Sequence, residues 1–263
     1  MDQNALTEIA TMMADAAKVE TLRYFRGSQL HTTSKETSGF DPVTEADKAA
    51  ERAMRAVLAQ HRPQDGILGE EYDNIAGTSG LTWVLDPIDG TRGYMSGTPT
   101  WGTLIALHDG NKPILGLIDQ PYIGERFIGG LGHSHMTGPL GAQDLKVSNE
   151  TALKNAVIFT TFPEVGTPQD QAGFEAVAKT CKLTRYGMDC YAYALLASGH
   201  IDLVIEARLQ AYDIQAPIAV IEAAGGVVTN WSGGRADQGG RVIAAATSQL
   251  HVAALDILAA YGA

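Results

Sequence analysis

The stretch LDPIDGTRGYMSG (85–97) sets Asp86 and Asp89 three positions apart, separated by a proline and an isoleucine and followed by Gly-Thr. Asp-Pro and Asp-Gly are ordinary turn dipeptides, so the segment reads either as a plain turn or as a turn that gathers ligands for a hard cation. Proline fixes φ at about −65° and limits the chain between the aspartates. A tight turn here would aim both carboxylates at one point, with the Ile88 carbonyl beside them. Gly90 lets the backbone come close, and the N–H groups of Gly90 and Thr91 at a helix start suit a phosphate.

Partners for these carboxylates occur elsewhere in the chain. Glu70 and Glu71 lie where the strand-like GIL run meets a polar loop, and Asp213 opens the apolar helix DIQAPIAVIEAAGG (213–226). Asp47 falls in the first turn of a helix starting at Thr44, three residues before it, an arrangement that resembles a capping box. Each has a plainer alternative. Asp213 is also a candidate helix cap, Asp47 the partner of Thr44, and Glu70 and Glu71 solvated loop charges. Together they form the donor set that Mg²⁺ takes: a few carboxylates, with water and substrate phosphate completing an octahedron.

Around these residues the 263-residue chain has a 45% hydrophobic, 19% charged composition, that of a globular protein with an ample core. No apolar run approaches the roughly 18 residues of a membrane span. The first twenty residues lack a basic-then-apolar signal layout, so the cytoplasm is the expected compartment. A formal charge of −11 argues against a nucleic-acid surface. Cys181 and Cys190 are too few for a disulfide framework and read as reduced packing residues.

Helical spacing of Leu6, Ile9, Met13 and Ala17 predicts a helix over 3–25, and residues 27–42 read as a mobile polar loop. The helix from Thr44 would bury Ala46, Ala50, Ala53 and Val57. Strands are expected at 81–86, 101–107, 114–118 and 126–129. Beyond them, strands at 156–161, 201–205 and 241–246 alternate with helices at 170–180, 189–198, 214–224 and 248–260. The first part thus reads as α+β and the second as α/β, giving halves 1–142 and 143–263.

WVLDPIDGT (83–91) resembles the signature of the inositol-monophosphatase-like family of Mg²⁺-dependent, lithium-sensitive phosphatases, and GEE (69–71) and YDIQAPIAVIEAAGG (212–226) resemble its other two signatures, in order and at the family's spacing. The resemblance implies a layered αβαβα sandwich of the inositol monophosphatase/fructose-1,6-bisphosphatase type, and a homodimer. It also implies two or three Mg²⁺ ions. Glu70, Asp86 and the Ile88 carbonyl would hold the first, Asp86, Asp89 and Asp213 the second, and Glu70 with water a third. Thr91, hydrogen-bonded to Asp47, would orient the attacking water, with Glu71 beside the site. Such hydrolysis is among the slowest uncatalysed reactions, leaving an enzyme up to about 10²¹-fold to supply.

The resemblance implies a small phosphate monoester as substrate, and the second half is where its alcohol would be selected. Inositol-type members usually carry a Gly-Ser-Ala-Ala-like run where this chain has Asp189-Cys190-Tyr191, and a Trp where it has Tyr212. These residues, with TPTWGTLIAL (98–107) and GLIDQP (116–121), resemble the histidinol-phosphate phosphatase branch. Histidinol carries an ammonium group and an imidazole, which Asp189 and Glu206 would suit, although Asp189 is also a candidate helix cap. Arg208, Gln210 and Ala211 depart from that branch, which commonly has a small residue at 208 and Lys-Pro before Tyr-Asp. Inositol 1-phosphate or a related sugar phosphate is therefore the alternative substrate, and a non-catalytic regulatory member is the alternative from another class. HSH (133–135) reads as surface loop, since zinc needs three or four ligands.

Overall fold

Five layers, alternating helix and sheet, build the computed structural model, which describes residues 2–27, 32–34 and 42–262. The chain runs through α1 (Gln3–Tyr24), β1 (Thr32–Ser34), β2 (Pro42–Thr44), α2 (Glu45–His61), β3 (Gly66–Gly69), β4 (Thr82–Asp89) and α3 (Thr91–Ser96). Then come β5 (Gly102–His108), β6 (Pro113–Gln120), β7 (Glu125–Gly130), β8 (His133–Gly138), β9 (Gly141–Asp144) and β10 (Val157–Thr160). The remainder is α4 (Pro168–Ala178), β11 (Leu183–Tyr186), α5 (Cys190–Ala197), β12 (Leu203–Leu209), α6 (Ala211–Ala223), β13 (Val227–Asn230), β14 (Gly240–Ala245) and α7 (Ser248–Leu258). No helix among the described residues is long and apolar enough to cross a membrane.

The outer layer is α1 packed on α2. Asp2 caps α1, accepting from the amides of Asn4 and Ala5, and the expected stripe of Leu6, Ile9, Met13 and Ala17 is buried against Trp83, Leu85, Ile105 and Leu117 of the first sheet. On α2 the buried face carries Ala46, Ala50, Met54 and Leu58. Ala53 and Val57, expected there, are only half-buried, because the stripe advances in steps of four. The capping role expected of the Thr44 side chain lies outside the described residues, as does most of the loop expected at 27–42. The described parts of that stretch pair antiparallel as β1 and β2.

Seven strands form the first sheet in sequence order β3 to β9, antiparallel except for the parallel pair β3–β4. The HSH segment is therefore not a loop. It lies on β8, with the His133 and His135 rings 5.7 Å apart on one face. The second sheet has the order β11-β10-β12-β14-β13, with β10 parallel to β11 and β12. Helices α4 and α7 cover its outer face around Phe174, Trp231 and Leu250. Between the sheets lie α5 and α6, whose Tyr193, Leu196, Ile214 and Val220 share one core with Leu104, Ile118 and Phe127 of the first sheet and Val204 and Val242 of the second.

Helix α6 lies directly on the first sheet. A Cβ added at Gly116 would fall 2.2 Å from the Ala216 carbonyl oxygen, and one at Gly129 would fall 2.4 Å from the Val220 Cα. Both obstructions are backbone, which cannot swing aside. Gly129→Val should therefore cost about 3 kcal/mol, the upper end for overpacking, and lower the melting temperature by about 6–10 °C. A thermal melt unchanged within 2 °C (about 0.5–1 kcal/mol) would contradict this placement of α6.

Candidate active site

A cleft of about 440 Å³ opens where α3 and the end of β4 face β10, β12, α5 and α6. Its floor is acidic. One carboxylate oxygen from each of Asp86, Asp89 and Asp213 lies within 4.8 Å of the others.

Asp86 and Asp89 converge for a reason different from the tight turn expected from Asp-Pro. Residues three apart in a regular strand point to opposite faces. Asp86 pairs with Leu104 and Asp89 with Gly102, so β4 spends three residues where β5 spends two. The extra residue is a β-bulge, and it turns both carboxylates to one side. Pro87 is tolerated at a bulge because its missing N–H breaks no ladder bond there. The Thr103 hydroxyl braces the bulge by donating to the Pro87 carbonyl at 2.8 Å. The chain then turns through Gly90, at φ 85°, into α3, where the Thr91 hydroxyl donates to the Ile88 carbonyl at 3.2 Å.

Asp213 arrives from α6. It is not the cap itself: Gln210 caps the helix, and Asp213 is the third residue of a reciprocal capping box, accepting from the Gln210 amide at 2.6 Å. Capping and membership of the cluster coexist in one side chain. Asp89 is held from the same half of the chain, since the Cys190 amide at the start of α5 donates to it at 2.6 Å. Asp47 is buried in the first turn of α2. Glu70 follows β3, with its amide bonded to the Leu85 carbonyl at 3.2 Å, and the Glu71 amide donates to Glu51 at 2.7 Å.

Burial raises the pKa of Asp86 well above the carboxylate range, and the charges of Glu70, Asp89, Asp213 and Asp47 raise it further. Burial and the charges of Asp189 and Asp213 raise Asp89, against the opposing Cys190 amide. Asp213 is pushed up to about 7, chiefly by burial, with Glu70 and Glu206 adding to it. Among the described residues, Asp86 Oδ1 is buried without a hydrogen-bond partner. A buried acceptor without a donor, among like charges, fits a divalent cation better than any group present.

On the opposite wall, Asp189 stands at the start of α5 but makes no capping bond. Its backbone, at φ 47° and ψ −141°, is in a region that glycine occupies freely and other residues rarely do. The carboxylate instead packs against Gly90, where an added Cβ would fall 2.7 Å from Asp189 Cγ, and accepts from the Thr100 hydroxyl at 3.3 Å. Burial, with the charge of Glu206, pushes it up to about 6. Glu206 is buried and accepts from the Thr161 amide at 3.0 Å, the Thr161 hydroxyl at 2.5 Å and the Tyr193 hydroxyl at 2.8 Å. A carboxylate has about four lone-pair sites, so one is left unused, and Glu206 is among the residues that line the cleft. Arg208 is exposed at the rim, at φ 68°, on the bulge between Glu206 and Leu209. Across the mouth, the Arg92 guanidinium lies 5.0 Å from the centre of the Phe162 ring.

Sequence reasoning missed Cys190 as the amide that fixes Asp89, Thr161 and Tyr193 as the groups that hold Glu206, and the Arg92–Phe162 pair. An amide carries no residue signature, whereas Thr100 sat within a segment already singled out.

Folded-state pKa values above the unfolded value of about 3.8 mean that the folded chain holds its protons more tightly. The stability this confers is complete below about pH 4 and is lost as pH rises through about 6 for Asp189 and about 7 for Asp213. His251, whose pKa burial lowers, opposes this below its ordinary value. In EDTA the melting temperature should therefore fall between pH 5 and pH 8, and Mg²⁺ should restore it at pH 8. A melting temperature that rises with pH in EDTA would refute the charge repulsion described here.

The family model described as "Inositol monophosphatase family" matches residues 2–262. The bifunctional phosphatase IMPL2 of Arabidopsis thaliana is 40% identical over 95% of this chain and 74% of its own. The histidinol-phosphatase of Streptomyces coelicolor is 34% identical over 92% of each chain. Among solved structures, an inositol monophosphatase from Zymomonas mobilis superimposes with a TM-score of 0.86 at 35% identity, over 98% of this chain and 99% of that one. The αβαβα layers are those of this fold, and the chain is a phosphatase that belongs to the inositol monophosphatase family.

Proposed function

We propose that the chain hydrolyses phosphate monoesters with Mg²⁺ and that its preferred substrate is L-histidinol phosphate. Asp86, Asp89 and Asp213, with Glu70 and the Ile88 carbonyl, are the groups that would hold the ions. Bound there, the cations supply neutralisation of the phosphate dianion and a lowered pKa for adjacent water. The chain's own groups do the rest. The Gly90 and Thr91 amides bind phosphoryl oxygens at the start of α3. Thr91 Oγ1, whose proton faces the Ile88 carbonyl in the structure, would turn that proton toward Asp47 and accept a hydrogen bond from the attacking water, with Glu71 alongside. As the water oxygen bonds to phosphorus and gives up its proton, the P–O bond to the alcohol breaks on the opposite side, and the departing alkoxide takes a proton from solvent water.

The single observation that carries the substrate assignment is Asp189. A non-glycine residue in its backbone conformation costs about 1–3 kcal/mol, and its side chain makes no capping bond in return. That cost is explained if the carboxylate holds the ammonium or imidazole of the alcohol, with Glu206 contributing its remaining lone pair. The histidinol-phosphatase relative supports the same reading. One observation favours inositol or sugar phosphates instead: Arg208 places a cation at the rim of the cleft. The similar Zymomonas mobilis protein is an inositol monophosphatase.

Phosphate release should require Mg²⁺ and stop in EDTA. Asp86→Asn should abolish the response to Mg²⁺, whereas Thr91→Ala should lower kcat by about 10²–10⁴-fold with the Mg²⁺ midpoint unchanged. Turnover that persists in EDTA would sink the mechanism. The kcat/KM for histidinol phosphate should exceed that for inositol 1-phosphate, and Asp189→Gly should cut this ratio about 10–100-fold, the loss of one charged hydrogen bond. The same variant should melt about 3–6 °C higher, because the strain is relieved. A ratio unaffected by Asp189→Gly would refute the substrate assignment.

A further inference from the structure

Glu51 lies on α2 one turn beyond Asp47, and its side chain is wholly buried. One oxygen accepts from Arg55 Nε at 2.7 Å, and the other accepts the Glu71 amide at 2.7 Å. Arg55 also donates to the Tyr72 carbonyl at 3.1 Å, and Arg52 donates to the Tyr72 hydroxyl at 2.5 Å. Gly69 completes the contact: an added Cβ would fall 2.1 Å from Glu51 Oε1. Helix α2 thus grips residues 69, 71 and 72, while the amide of residue 70 is bound to the Leu85 carbonyl, one residue before Asp86.

Burying a charged pair costs several kcal/mol per ion, and an apolar pair of the same volume would usually stabilise a protein as well or better. A wholly buried Glu51 paired with a half-buried Arg55 under a polar loop is therefore better explained by orientation than by stability. We propose that Glu51 is a positioning residue: with Arg55 it fixes the backbone on the far side of Glu70, so that the Glu70 carboxylate faces the Asp86–Asp213 cluster and raises its affinity for a divalent cation. Glu51 itself touches neither substrate nor cation. This inference rests on the Mg²⁺-dependent reading above.

The test titrates Mg²⁺ into full-length wild-type protein, Glu51→Gln and Arg55→Lys, reading both the rise in melting temperature and the initial rate. The amide of Glu51→Gln can still accept from Glu71 but no longer pairs with Arg55. Its Mg²⁺ midpoint should rise about tenfold by both readouts, as when a group supporting a metal ligand is lost. At saturating Mg²⁺, KM should be unchanged and kcat lowered less than threefold. Arg55→Lys keeps a cation beside Glu51 but not the guanidinium fork, and should shift the midpoint about threefold. If Glu51→Gln does not fold, Arg55→Lys decides alone. Midpoints within 1.5-fold of wild type, even with a lowered metal-free melting temperature, would overturn the positioning role. Wild-type protein that does not respond to Mg²⁺ at all would overturn the metal reading and this inference together.

Discussion

Asp86, Asp89 and Asp213 repel one another, and the fold has to supply the force that keeps them within 4.8 Å. Two come from one bulged strand and are fixed covalently. The third comes from α6, more than a hundred residues later, so its approach depends on how firmly that helix sits. Glycines at 116 and 129 let α6 touch the sheet backbone, and its other side is buried against the second sheet. The shared core between the sheets is what opposes the repulsion. A cation bound among them would lessen the same strain, so site and core are two sides of one balance.

Much of this was legible in the residues, because the chemistry is local and the types are distinctive. The carboxylates Asp86, Asp89 and Asp213, singled out by type and spacing, do converge, and the stripe on α1 announced a buried helix. The mode of convergence was not legible. Proline beside aspartate suggests a turn from either side, and only the pairing of Asp86 with Leu104 and Asp89 with Gly102 reveals a strand with an inserted residue. Strands β8, β9, β11 and β13 also escaped notice. They are short, and segments such as HSHMTG and GAQD hold too few branched apolar residues to signal β structure before their neighbours exist.

The same limit explains Glu51 and Asp189. On a helix rich in charge, a buried glutamate looks like any exposed one until the loop it grips is placed. Asp189 before an apolar helix has the pattern of a cap, and the pattern fails because the backbone there has the wrong hand for capping. In both cases a charged side chain is held where stability alone would not put it. The departures from local rules lie around the cleft, where a site that must bind and react has other demands to meet.

The hydrogen bond from the Cys190 amide to Asp89 has a consequence for how such a protein diversifies. Asp189 lines the cleft, and the next residue's amide anchors a carboxylate of the acidic floor. Under the proposed function, recognition and reactivity would share one peptide unit. The bond is made by backbone, so side chains at 189 can be exchanged one at a time without loosening Asp89, whereas an insertion or deletion there would move the acidic floor as well. New specificities should therefore appear as point substitutions on a backbone of fixed length.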